Sequence, residues 1–231
     1  MNYGGYVIRQ NFLSVEEINK LKTLALALVN KSTATHETGK YASKLWSFIP
    51  LLTKDGKIPD DVNCPELNKI VSFFQTSLSL AVFYYLEPGG KLHPHRDLTG
   101  AKLNDRIRFH IPIQTNSEVV FKVSNERLLM NPGDLWALDT SYLHSVENNG
   151  GEVRIHAVFE CDVNDWCKGI LKKKNLHTFA HDIFYFFYLV FAVSKSLLVN
   201  TWKDPRYLQA QIKMGMGFIR WRIISRLVRK H

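Results

Sequence analysis

The sequence lacks the features that mark a secreted, disulfide-stabilised or zinc-finger protein. Only three cysteines occur among 231 residues, and none of them forms a C-x-x-C pair. A disulfide framework, a zinc ribbon and a thioredoxin-like motif are therefore all disfavoured. No basic segment followed by an apolar one opens the chain, so we expect no signal peptide. These absences predict a reducing compartment, the cytoplasm.

Long hydrophobic runs are also missing. The apolar stretch 183–193 is too short to span a bilayer, and Asp182 and Lys195 bracket it. Lengthening the stretch to spanning size would bury one of these charges in lipid, which is costly. We therefore predict a buried helix rather than a membrane span.

Positive charge is concentrated near the C-terminus. The whole chain has 30 Lys+Arg and 21 Asp+Glu, whereas residues 165–231 have 13 and 3, a net charge of +10 that leaves −1 for the rest. We predict two domains, 1–164 and a basic, aromatic-rich helical extension at 165–231. After Pro205, apolar and basic residues alternate as in an amphipathic helix, which could lie on an anionic membrane surface or pack on its own domain. Nucleic-acid binding is disfavoured, because the aromatic residues do not interleave with the basic ones.

The first domain begins with helical signals and continues with strand signals. Ser14 and Glu17 form a capping box, and Pro65 suits the first turn of a second helix. From residue 79 onward, short Val-, Phe- and Tyr-rich segments alternate with turns such as Glu87-Pro88-Gly89-Gly90. Many short strands at this spacing predict a mostly β fold with flanking helices, a double-sheet jelly roll or barrel.

Two residues in a strand candidate have the chemistry of metal ligands. His95 and Asp97 are separated by one residue, so on a strand their side chains point to the same side. His144, on a distant strand candidate, could complete a set of two histidines and one carboxylate, the facial triad of non-haem iron(II) oxygenases. A bare H-x-D motif is weak by itself, and a surface turn with a loop histidine is the alternative.

Cationic residues on nearby strand candidates strengthen this interpretation. Arg154 lies ten residues after His144, within reach of the same cavity, and could bind a carboxylate through a charge-assisted pair. Arg108 and His110 alternate in the same way on another strand. Buried cations require an anion. The alternative is that this face meets solvent and that Ile107 and Phe109 point inward.

The segments LEPGGKLHPHRD, RIRFHIPI, MNPGDLWALDTSYLHSVENNG and RIHAVFE, between residues 80 and 162, resemble the aspartyl/asparaginyl β-hydroxylase family of 2-oxoglutarate oxygenases. The resemblance implies a double-stranded β-helix (cupin-like) fold. It also implies hydroxylation coupled to decarboxylation of 2-oxoglutarate, with iron(II), O2 and stimulation by ascorbate. By the same resemblance, each candidate residue takes one role: iron binding by His95, Asp97 and His144, binding of the distal carboxylate by Arg154, and contact with 2-oxoglutarate or substrate by Arg108 and His110.

The substrate does not follow from the resemblance, because the basic extension is not part of the family pattern. We expect an amino acid, free, carrier-bound or in a peptide. The first alternative is a lipid-linked acyl chain, with residues 165–231 in peripheral contact with the inner face of an anionic membrane or with an acidic partner. The second is a cupin-like module that binds metal without turnover; intact Asp97 and Arg154 argue against it.

Overall fold

A computed structural model describes residues 4–31, 42–43, 45–53, 55–97, 106–124, 126–171, 176–213 and 216. The chain divides into two compact units, residues 1–173 and 174–231. The strands of the first unit are β1 Gly5–Arg9, β2 Trp46–Pro50, β3 Leu78–Leu86, β4 Lys91–His95, β5 Arg106–Gln114, β6 Val119–Val123, β7 Glu126–Leu128, β8 Leu135–Leu138, β9 His144–Asn148 and β10 Arg154–Asp162. The helices are α1 Val15–Lys31, α2 Pro65–Phe73 and α3 Asp165–Ile170 in the first unit and α4 Leu176–Lys203 in the second.

Two antiparallel sheets make up most of the first unit. The larger sheet has the strand order β1-β8-β5-β10-β3-β2, and the smaller has the order β4-β9-β6-β7. Neighbouring strands are often distant in the chain: β10, for example, pairs with both β3 and β5. This arrangement of two sheets with flanking helices confirms the predicted jelly-roll fold.

The larger sheet is buried on both faces. On one face, Ile107 and Phe109 join the hydrophobic core beneath α1 and α2, together with Leu21 and Leu67. The opposite face of the same strands carries polar side chains that are also buried or half-buried: Arg108, His110, Arg154, His156 and Glu160. The apolar residues therefore do point into a core, but the cationic face does not meet solvent.

Helix α1 begins at the predicted capping box. The backbone N–H of Ser14 donates to Glu17 Oε2 at 2.8 Å, and the N–H of Glu17 donates to Ser14 Oγ at 3.2 Å. Two N–H groups at the helix start are thereby satisfied. Further along, the buried Tyr85 hydroxyl donates to the carbonyl of Ala25 at 2.8 Å and ties α1 to the larger sheet.

The predicted turn at residues 87–90 aligns the strand that carries the first candidate ligands. Gly90 N–H donates to the carbonyl of Glu87 at 2.8 Å, and Gly89 has φ +76°, a conformation that glycine adopts without strain. Gly89 N–H also donates to the carbonyl of Asn148 at 2.8 Å. The turn is therefore fixed to the end of β9, and β4 starts in register with that strand.

The boundary between the two units falls later than the one predicted after residue 164. Asn164 caps α3, accepting the N–H of Cys167 at 3.0 Å, and Cys167 is fully buried in the core of the first unit. Trp166 packs edge-on against Phe73 at 5.4 Å between ring centroids. Because α3 contributes to this core, it belongs with the sheets.

The second unit contains the helix predicted over the apolar run. Helix α4 covers the run, but its predicted burial is not observed: Phe184, Phe187 and Phe191 are 75%, 64% and 68% exposed. Among the described residues, no helix is both long and apolar enough to cross a membrane. Residues 206–213 are helical, as the prediction of a basic helix after Pro205 requires. The rest of that prediction lies outside the described residues, apart from residue 216.

Candidate active site

Two neighbouring strands of the smaller sheet bring the three candidate iron ligands together. Strands β4 and β9 are antiparallel, and His95 lies opposite His144. Asp97 follows β4, and its N–H donates to the carbonyl of Thr140 at 3.0 Å. The potential ligand atoms of the three residues all lie within 4.8 Å of one another. The sequence prediction that these residues converge is thus matched by the geometry.

Backbone carbonyls set the orientation of both imidazole rings. His95 Nδ1 lies 2.7 Å from the carbonyl of His93, and His144 Nδ1 lies 3.0 Å from the carbonyl of Tyr142. Because a carbonyl only accepts, each Nδ1 carries a proton in this arrangement, which makes Nε2 the nitrogen through which each ring would bind a metal. The two Nε2 atoms lie 3.7 and 4.0 Å from the Asp97 carboxylate oxygens.

Burial keeps His144 neutral and ready to bind a metal. Burial, reinforced by the neighbouring His95, lowers the pKa of His144 to about 4, although Asp97 opposes the shift. A neutral imidazole is the form that ligates metals. Two imidazole Nε2 atoms and one carboxylate that lie close together are the donor set of a facial triad, so these residues fit a ferrous ion.

Arg154 is a buried cation with no carboxylate partner among the described residues. It is 2% exposed, its Nη2 lies 2.9 Å from His156 Nδ1, and its guanidinium lies 5.3 Å from the centre of the Phe121 ring. Its Nε is buried without a hydrogen-bond partner. Burial lowers the pKa of Arg154 to about 9, so it remains charged at neutral pH. A buried, uncompensated guanidinium fits the distal carboxylate of 2-oxoglutarate.

Arg108 is in the predicted place but is already paired. Its Nη1 donates to Asp97 Oδ2 at 2.5 Å, and its Nη2 donates to Glu160 Oε2 at 2.8 Å. Burial alone would lower the pKa of Arg108, but Tyr84, Asp97 and Glu160 raise it above its ordinary value. Direct contact between Arg108 and 2-oxoglutarate remains a prediction. In the structure, this guanidinium pairs with the carboxylates of Asp97 and Glu160.

His110 is a buried, neutral histidine. Its Nδ1 lies 3.4 Å from His156 Nδ1, and its ring stands edge-on to Phe121. Burial, together with the charges of Arg154 and Arg108, lowers its pKa well below the usual value. Its role at the co-substrate also remains a prediction.

All six predicted site residues line one cavity of about 300 Å³. This cavity lies between the sheets, with wall residues from both. Its volume is at the lower end of the range typical of small-molecule sites. It can therefore hold a compact co-substrate and the end of a substrate.

Two residues that contribute to this site, Trp46 and Glu160, were not assigned to it from the sequence. Trp46 reads as a core residue, but it lines the cavity beside Tyr84, with ring centroids 5.1 Å apart. Glu160 is 5% exposed and accepts a hydrogen bond from Arg108. The signal for Glu160 was available, because the alternation through Arg154 and His156 places it on the same face of β10.

Comparison with known proteins gives the family. The sequence model of the aspartyl/asparaginyl beta-hydroxylases matches residues 7–164, more than half of the chain. The chain belongs to this family. It is accordingly an iron(II)- and 2-oxoglutarate-dependent dioxygenase of the hydroxylase type, and the His-Asp-His cluster fits its metal.

Solved structures support the same fold. A Pseudomonas putida prolyl-4-hydroxylase is 10% identical, with a TM-score of 0.50 over 70% of this chain and 93% of its own. A Trichoplax adhaerens prolyl hydroxylase, solved with a hypoxia-inducible-factor peptide, is 10% identical, with a TM-score of 0.50 over 74% and 88%. The epimerase SnoN of nogalamycin biosynthesis is 10% identical, with a TM-score of 0.52 over 69% and 76%. At such low identity, these similarities establish the architecture alone.

Proposed function

We propose that the protein hydroxylates an unactivated C–H bond of an amino acid, free, carrier-bound or within a peptide, with succinate and CO2 as co-products. His95, Asp97 and His144 hold the ferrous ion in this proposal, and Arg154 binds the distal carboxylate of 2-oxoglutarate. One observation carries the assignment: a three-ligand cluster lines the same cavity as a buried arginine that has no carboxylate partner among the described residues.

Each residue contributes positioning rather than chemistry of its own. When bound, iron and 2-oxoglutarate supply the oxidation, in which dioxygen is consumed and the keto acid loses CO2 to give succinate. The two Nε2 atoms and the Asp97 carboxylate would hold the metal, and three protein ligands would leave coordination positions for the co-substrate and dioxygen. The apolar cavity wall excludes water and places one C–H bond of the substrate near the metal.

The test combines metal binding with turnover. His144→Ala should weaken binding of Fe(II), followed by anaerobic titration, and abolish substrate-stimulated succinate release in an assay with Fe(II), 2-oxoglutarate and ascorbate. His93→Ala is the matched control, because His93 is an exposed histidine on the same sheet that is not in the cluster. Wild-type metal affinity and succinate release in His144→Ala would rule out the proposed ligand set.

A lipid-linked acyl chain is the second candidate substrate. It is favoured by the exposed aromatic residues of α4, of which Trp202 is 91% exposed, and by the excess of basic residues in the same region. Aromatic and basic side chains together suit an anionic membrane surface, which would place the protein at the inner face of a membrane.

The full chain should then co-sediment with phosphatidylglycerol vesicles but not with phosphatidylcholine vesicles. Phe187→Glu should reduce this binding, whereas Leu129→Glu, at an exposed site in the first unit, should not.

A further inference from the structure

The charges of the cavity wall bear on which substrate groups, acidic or uncharged, the enzyme can bind. Among the described lining residues, only Arg108 and Arg154 carry a fixed positive charge. Arg108 is compensated by Glu160, to which it donates at 2.8 Å, and it also contacts Asp97. Arg154 is assigned to the co-substrate in the proposed function. No positive charge of the described wall is therefore left for an acidic substrate group.

With a ferrous ion and 2-oxoglutarate bound, the described site would carry no surplus positive charge. The charges of a ferrous ion, Asp97, Arg154 and the 2-oxoglutarate dianion sum to zero, and Arg108 and Glu160 cancel each other. Asp139 also lines the cavity and adds a negative charge to its wall. A substrate carboxylate would find no counter-charge on the described wall, and burying an unpaired anion is strongly unfavourable.

Apolar and aromatic residues form much of the remaining wall, and Thr140 and Ser145 add uncharged hydroxyl groups to it. Trp46, Tyr84, Leu92 and Val146 line the cavity together with His95 and His144. Burial raises the pKa of Tyr84, so its phenol is neutral. The ring centroids of Trp46 and Tyr84 are 5.1 Å apart, and the two rings form a continuous aromatic surface.

We propose that the group hydroxylated by this enzyme is an uncharged hydrocarbon side chain, aliphatic or aromatic, held against Trp46, Tyr84 and Leu92, and that acidic side chains are rejected. The inference rests on the proposed function, because it assigns Arg154 to the co-substrate. It narrows the substrate to apolar amino-acid residues and departs from the aspartyl residue in the family's description.

Two probes of similar size separate the possibilities: N-acetyl-leucine amide and N-acetyl-aspartate amide. Each is added anaerobically to the full-length protein loaded with Fe(II) and 2-oxoglutarate. Binding beside the metal is measured as paramagnetic broadening of the probe's side-chain proton signals, relative to zinc-loaded protein. The leucine amide should bind about tenfold more tightly or better, because the aspartate would be buried without a counter-charge.

Substitutions in the cavity wall test whether its side chains cause the preference for the leucine amide. Trp46→Ala should weaken binding of the leucine amide roughly fivefold, by loss of aromatic contact. Leu129→Ala should leave it unchanged, because Leu129 is 70% exposed and does not line this cavity. Leu92→Arg should add a cation and allow the aspartate amide to bind.

Three results would overturn the inference: equal or tighter binding of the aspartate amide, no binding of either probe, or a leucine affinity that Trp46→Ala does not change. Binding of 2-oxoglutarate itself, measured calorimetrically on the same Fe(II)-loaded protein, separates the two proposals. If 2-oxoglutarate fails to bind, the proposed function fails. If it binds and the acidic probe is preferred, only the substrate class is wrong.

Discussion

The guanidinium of Arg108 lies 2.5 Å from the carboxylate of Asp97, a candidate iron ligand. The opposite nitrogen of the same guanidinium lies 2.8 Å from Glu160. Arg106 contacts Glu160 as well, at 3.3 Å. Asp97 is thus held by a partly buried network that begins on β10 and passes through β5. Partners that orient a metal ligand in this way commonly influence metal affinity.

Glu160 is not one of the candidate metal ligands, but Glu160→Gln is expected to weaken metal binding through Arg108 and Asp97. The amide keeps the shape of the side chain but loses the charge that orients Arg108. We expect the dissociation constant for Fe(II) or Co(II) to rise roughly tenfold. Calorimetric or spectroscopic titration measures this change.

The control for this variant is Glu147→Gln. Glu147 pairs with Lys91 at 3.3 Å in the smaller sheet, is 44% exposed at its side chain, and does not line the cavity. Its metal affinity should equal that of the wild type. Equal metal affinities in Glu160→Gln and wild type would show that Arg108 holds Asp97 without help from Glu160.

Arg154→Met should weaken binding of 2-oxoglutarate and, at the same time, stabilise the free protein. The dissociation constant for 2-oxoglutarate should rise about a hundredfold, because the distal carboxylate loses its buried charge-assisted partner. The free protein should meanwhile become more stable, by about 1 kcal/mol, because an uncompensated buried cation has been removed. Calorimetry measures the binding and chemical denaturation the stability.

Arg127→Met is the matched surface substitution. Arg127 is exposed and donates to the carbonyls of Ser117 and Val119. It should change 2-oxoglutarate binding little and stability slightly downward. A strong loss of stability in Arg154→Met would instead mean that Arg154 has a structural role in the β10 region.

Acid should destabilise the free protein through its buried histidines. Burial, followed by the charge of Arg154 and the nearby His110, lowers the pKa of His156 well below its ordinary value of 6.5. The unfolded chain therefore takes up a proton below pH 6.5 that the folded protein does not. The stabilising contribution of neutral His156 is complete above pH 6.5 and is lost as the pH falls, by up to about 1.4 kcal/mol per pH unit.

Denaturant unfolding at pH 7, 6 and 5 measures this slope. His156→Gln should have a shallower dependence than the wild type, because one proton-linked group is gone. His93→Gln, in which the substituted histidine is exposed, should keep the wild-type slope. Identical slopes in all three proteins would exclude His156 as a source of acid sensitivity.

The sequence predicted which residues come together at the cavity, but not the partners with which they pair. Spacing along strands and the family motifs singled out His95, Asp97 and His144, because a ligand pattern depends on local alternation. Which face of β5 meets the cavity was not decidable, because both faces of this strand are largely buried and alternation then carries little information. The pairing of Arg108 with Glu160 depends on the register of β5 against β10, which the sequence does not reveal.

Strands β1 and β2 were missed for a related reason. They form the two edges of the larger sheet and have mostly half-buried side chains without a clear alternation. Strand β2 lies beside β3, and this neighbour is what brings Trp46 to Tyr84. A residue whose role depends on an edge strand with a weak pattern cannot be assigned from spacing alone.

Substitution of three glycines distinguishes the cost of backbone strain from the cost of steric overlap. Gly133 has φ +81°, and a Cβ there would lie 2.7 Å from the carbonyl oxygen of Leu13. Gly56 has φ +77° but open space around it, and Gly151 has open space without a positive φ. Gly151→Ala should therefore leave stability unchanged, and Gly56→Ala should cost about 1 kcal/mol by strain alone.

Gly133→Ala should cost more than Gly56→Ala, about 2–4 kcal/mol, because strain and overlap with backbone act together. The turn is fixed on both sides: Leu13 N–H donates to the carbonyl of Gly133, and Gly133 N–H donates to that of Pro112. A shift that relieved the overlap would therefore break the hydrogen bonds that join the segment before α1 to this turn and the turn to β5. The loss of thermal stability should be largest for Gly133→Ala, smaller for Gly56→Ala and absent for Gly151→Ala. The Fe(II) affinity of each folded variant should equal that of the wild type. Equal losses at Gly133 and Gly56 would mean that the turn moves freely and that α1 is not anchored there.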